Sequence, residues 1–74
     1  MTFDKNNLTD DYIELIWYRC KNKMKPKDKS KRLSILTASK QIGIGEATLQ
    51  RFLADPYGTS KNNTLKIHFW TQKD

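Results

Sequence analysis

Cysteine and histidine occur once each in this chain, proline twice and glycine three times among 74 residues. Each scarcity removes a class of function. A single cysteine, Cys20, cannot close an intrachain disulfide, and the usage fits a reducing compartment. One histidine and one cysteine cannot supply the four protein ligands of a zinc site, and the acids are too scattered to suggest another metal centre. Cys20 and His68 are also the sole thiol and imidazole available for nucleophilic catalysis. Cys20 falls on the apolar stripe of a predicted helix, so a buried structural thiol is expected, with no catalytic residue and no enzyme. Long hydrophobic runs are missing as well. The longest mainly apolar stretch, Tyr12-Ile13-Glu14-Leu15-Ile16-Trp17-Tyr18, is interrupted by Glu14 and far shorter than a membrane span. The amino terminus, Met1-Thr2-Phe3-Asp4-Lys5-Asn6-Asn7, is polar where a secretory signal would be basic and then apolar. The expectation is a cytoplasmic protein with no membrane partner and no cofactor.

Negative charge is the next shortage: eight acids stand against 14 bases, for a net charge of +6. The excess is concentrated. Residues 19–32 hold eight positive charges against Asp28 alone, a net +7, and the rest of the chain sums to −1. Such a segment attracts phosphates, and releasing their counterions makes affinity salt-sensitive. It also suits a solvated connector that keeps a small protein soluble. Hydrophobic residues at 36% and aromatics at 11% allow one compact domain over residues 1–74 with a thin core and no sizeable pocket.

Periodicity predicts an all-α domain of four or five helices. Thr9 reads as an N-cap before a helix over about 10–23, with Asp10 and Asp11 in the first turn, where negative charge suits the dipole. Ile13, Ile16, Trp17, Cys20 and Met24 share its inner face, with Leu15 and Tyr18 at the sides. Pro26 ends it, and a basic connector over 25–32 follows. Ser30 is the expected N-cap of a second helix over 31–41, turning Leu33, Leu36 and Ala38 toward the first. A third helix is expected over 46–54, then a turn at Asp55-Pro56-Tyr57-Gly58. The tail is ambiguous: Thr64 to Phe69 alternates polar and apolar as a strand would, but Leu65 with Phe69, and Ile67 with Trp70, are also helical neighbours. A helix over 62–70 is favoured because a lone strand has no partner. Phe69 and Trp70, an apolar tail on so small a body, are the candidate dimer surface.

The segment Ser39-Lys40-Gln41-Ile42-Gly43-Ile44-Gly45-Glu46-Ala47-Thr48-Leu49-Gln50-Arg51-Phe52-Leu53 carries the functional signal. It reads as the end of one helix, a turn hinged on Gly43, and a second helix opened by Gly45. Over roughly residues 33–67 the chain resembles the helix-turn-helix of lambda-repressor and Cro-like proteins, with the unit itself at about 33–54. Gly43 falls on the family's turn glycine, Ile44 on its buried turn residue, and Leu49 and Phe52 on the positions that seat the recognition helix. Ser39 stands where alanine is usual, and Gly45 where serine is frequent. The resemblance implies duplex DNA binding with the second helix in the major groove, and the shortness of the chain is similar to that of phage and mobile-element regulators. It implies a homodimer on a palindromic operator, repressing or otherwise controlling transcription. With Leu49, Phe52 and Leu53 inward, the base-reading candidates are Glu46, Ala47, Thr48, Gln50 and Arg51. Gln50 can pair bidentately with adenine, Arg51 with guanine or a phosphate, and Glu46 can accept from cytosine, while Ala47 or the Thr48 methyl can meet a thymine methyl. Lys27, Lys29, Ser30, Lys31, Lys40, Gln41, Lys61 and Asn62 are the phosphate candidates.

Two rivals use the same scaffold. A protein-binding adaptor or inhibitor would aim the basic run at an acidic protein surface, and a recombination accessory protein would bend DNA. RNA modules find no signature here. Gly43-Ile44-Gly45 lacks a following phosphate-loop pattern and reads as a helix turn.

Overall fold

The computed structural model describes residues 9–73. Among them there are four α-helices, α1 Asp10–Met24, α2 Ile35–Ile42, α3 Glu46–Ala54 and α4 Lys61–Gln72, with short 3-10 turns at Lys29–Lys31 and Pro56–Gly58 and no strand. The all-α expectation holds, and the alternating tail is helical. Its buried residues, Thr64, Ile67, His68 and Trp70, recur at helical spacing against the other helices. No helix among the described residues is long and apolar enough to cross a membrane.

Three of the helices start at a side-chain cap. Thr9 accepts the Tyr12 N–H, Ser34 the Thr37 N–H and Ser60 the Asn63 N–H, satisfying donors that have no partner within the helix. The second helix therefore begins at Ser34, not at Ser30. Asp28 takes the earlier cap: its carboxylate accepts both the N–H and the hydroxyl of Ser30, at 3.0 and 2.8 Å, and holds Lys29–Lys31 in a 3-10 turn. Those hydrogen bonds also keep the exposed Asp28 carboxyl below its usual range. The chain then runs extended through Arg32, and the Leu33 N–H bonds the Met24 carbonyl at 2.8 Å, tying the connector back to the end of α1. The buried face of α2 also differs in part from the expected one. Ala38 and Ser39 go inward with Ile35 and Ile42 beside them, whereas Leu36, expected against α1, is 45% exposed.

The core is small and shared. Ile16, Cys20 and Met24 of α1, Ala38 of α2, Leu49 and Phe52 of α3, and Ile67 and Trp70 of α4 form one buried cluster. Burial of each larger side chain contributes about 1.5–3 kcal/mol. α1 packs chiefly on α4, and α2 on α3. The Cys20 thiol is fully buried, and desolvation pushes its pKa up to about 11 although Lys23 acts against the rise. Trp70, a candidate for the dimer surface, is instead core at 4% exposure. Its neighbour Phe69 is exposed.

Candidate nucleic-acid interface

The turn between α2 and α3 is built on one left-handed residue. Gly43 sits at φ 91° and ψ 34°, and the N–H groups of Gly43 and Ile44 both bond the Ser39 carbonyl, at 2.9 and 3.1 Å. A side chain at this φ is strained because Cβ crowds the backbone, so glycine fits where another residue would resist. Ser39 is buried on the inner side of α2, and its hydroxyl turns back onto the Leu36 carbonyl at 2.8 Å. Gly45 then opens α3 in extended conformation with no side-chain cap.

α3 divides into two faces. Leu49 and Phe52 are fully buried, and Leu53 is packed against the core. Glu46, Ala47, Gln50 and Arg51 are exposed, with Thr48 beside them. Among these, Ala47, Thr48 and Arg51 line a concave groove of about 310 Å³ whose other wall is Gly58, Thr59, Ser60 and Asn63. The 3-10 turn at Pro56–Gly58 brings the start of α4 back alongside α3. Exposed Lys61 and Asn62 therefore follow directly on the groove wall. Thr59, Ser60 and Asn63 lie outside the sequence candidates. Their signal is the Ser60 N-cap three residues before Asn63, just past the turn glycine.

The other candidates lie apart from this groove. Lys27, Lys29, Ser30 and Lys31 are exposed on the loop between α1 and α2, and the Ser30 hydroxyl is engaged by Asp28. Lys40 is exposed on α2. Gln41 is tethered: its Oε1 accepts the Trp70 indole N–H at 3.0 Å, fixing the end of α2 to α4. A second indole makes a matching link, since Trp17 Nε1 donates to the Leu53 carbonyl at 2.9 Å. That carbonyl belongs to the last turn of α3, where no helical donor remains. The basic segment also divides. Lys23 donates to the carbonyls of Trp70 and Lys73 and lies over the Trp70 ring, and Lys21 lies over Trp17, so both help to hold the fold. Arg19, Lys25, Lys27, Lys29, Lys31 and Arg32 remain exposed.

No protein-family model matches the chain, and comparison with curated proteins and with solved structures gives no match either.

Proposed function

We propose that this protein binds duplex DNA sequence-specifically through α3, in the manner of a small transcriptional repressor acting in the cytoplasm. One observation carries the reading: α3 is seated by buried Leu49 and Phe52 behind a left-handed Gly43 turn, while Glu46, Ala47, Gln50 and Arg51 point to solvent. An α-helix so presented fits the width of the major groove, where Gln50 and Arg51 have the donor geometry for adenine and guanine. The groove beside α3 gives a phosphate somewhere to lie. Ser60 and Asn63 line it, Lys61 adds charge, and the amino end of α4 adds the positive pole of its dipole. Lys40 and the connector lysines Lys27, Lys29 and Lys31 supply the sequence-independent attraction. Two such helices one DNA turn apart would read a palindromic operator.

Selection of bound sequences from random duplex DNA tests the reading. Enrichment of one motif of defined length is the expected result. Recovery of unenriched DNA at low salt, lost as salt rises, would leave only nonspecific attraction. Absence of duplex binding would turn the basic loop toward an acidic protein partner.

A further inference from the structure

The outer stripe of α1 carries a pattern that DNA recognition leaves unused. Asp11, Leu15 and Arg19 follow one another at intervals of four and are all exposed, so they form one ridge spanning about 12 Å of the helix. Leu15, 41% exposed, shares a shallow hollow of about 590 Å³ with Phe69 of α4, 56% exposed. Asp11, Arg19 and Tyr12 line the same hollow. Tyr18, one turn beyond Leu15, is 60% exposed.

We propose that this face pairs two copies of the chain about a twofold axis, with their α1 helices antiparallel and crossing at Leu15. Positions of this ridge equidistant from Leu15 then stand opposite each other. Leu15 meets Leu15 of the second copy, Asp11 meets Arg19 and Arg19 meets Asp11. A twofold interface needs a patch that matches its own rotated image, and an acid, an apolar residue and a base at equal spacing provide one. A parallel pairing would set Asp11 against Asp11. Phe69 of each copy closes over the apolar centre. Because Trp70 is buried in the core, α4 contributes Phe69 and α1 supplies the rest.

Sedimentation equilibrium of the full chain without DNA tests the pairing. Wild type is expected to dimerise with a Kd on the order of 10–100 μM, as suits a small patch. Asp11→Arg and Arg19→Asp each place like charges at both ends of the interface and should weaken it about tenfold or more. An equimolar mixture of the two variants sets two arginines of one copy against two aspartates of the other, and should recover wild-type affinity or better. Leu15→Lys should leave a monomer. All three side chains are exposed, so circular dichroism is expected to show unchanged folding. A wild type that stays monomeric up to about 1 mM, or a mixture no tighter than its components, overturns the proposal. Either result leaves the DNA reading intact, since no DNA is present.

Discussion

Gly43 and Gly45 lie two residues apart in one turn, and substituting them should have opposite effects. At Gly43 an added Cβ would meet nothing within 4 Å, so the cost of Gly43→Ala is the backbone strain of φ 91° alone. That strain is on the order of 1–2 kcal/mol, and it should rise toward about 3 for the β-branched Gly43→Val. Gly43→Asn should cost least, because asparagine tolerates the left-handed region. At Gly45, with φ −74° and only Thr48 Oγ1 nearby at 3.8 Å, a side chain fits without strain. Gly45→Ser adds the missing cap and reduces the freedom of the unfolded chain, stabilising by about 0.5–1 kcal/mol. In a chain of 74 residues each kcal/mol moves Tm by about 4–8 °C. The Gly43→Ala loss is thus about 4–16 °C and the Gly45→Ser gain about 2–8 °C. Thermal unfolding followed by circular dichroism measures all four. An Asn variant less stable than the Ala variant, or a Gly43→Ala melting temperature equal to wild type, would refute the left-handed turn.

Replacing Lys27, Lys29 and Lys31 by alanine should weaken DNA binding similarly for every sequence and flatten the salt slope by up to about one unit for each phosphate no longer neutralised; fluorescence anisotropy across a salt series checks both. Gln50→Ala and Arg51→Ala should each cost about 1–3 kcal/mol at the preferred site, relax one or two base positions and leave stability unchanged, since both are exposed. A panel of single-base operator variants reads this out, and a uniform loss over all sites would reassign them to phosphate. His68 is held below its ordinary value near 6.5 by desolvation and then by Arg19. Its contribution to stability is therefore full above about pH 6.5 and is lost as pH falls through the depressed folded pKa. Denaturant titrations from pH 7.5 to 5 should show that decline, and His68→Gln should reduce it.

Much of this arrangement was legible in the sequence, for reasons that differ by element. α1 and α3 are long enough for successive turns of apolar spacing, and α3 is bounded by Gly45 and Asp55, so both emerged within about a residue of their observed ends. α2 has only eight residues, preceded by Ser30 and Ser34, either of which can cap a helix. Local pattern could not rank them. Asp28 engages Ser30 while Ser34 caps α2, so the helix starts four residues later; Ile35 packs against the core and Leu36 stays outside. In the tail, alternation over Thr64 to Phe69 satisfies a strand and a helix alike, and packing against α1 settles it.

The outward face of α3 could be read by subtraction, because once Leu49 and Phe52 are assigned inward the helical period fixes the rest. What holds that face in place could not. Trp17 reaches Leu53, Trp70 reaches Gln41, and Lys23 reaches the end of α4, hydrogen bonds between residues 36, 29 and 47 positions apart. Periodicity places Trp17 on the inner face of α1, leaves Trp70 a candidate for the dimer surface, and is silent about the N–H group of either. A buried indole needs an acceptor, however, and the acceptors most available in a helical domain are the unsatisfied carbonyls of a last turn or a side chain at a helix end. Trp17 takes the first at the carboxyl end of α3, and Trp70 the second at the end of α2. The two hydrogen bonds therefore fix opposite arms of the α2–α3 unit to α1 and α4. The direction in which Gln50 and Arg51 point is set by residues far from them in the chain, on helices that present no candidate base-reading side chain.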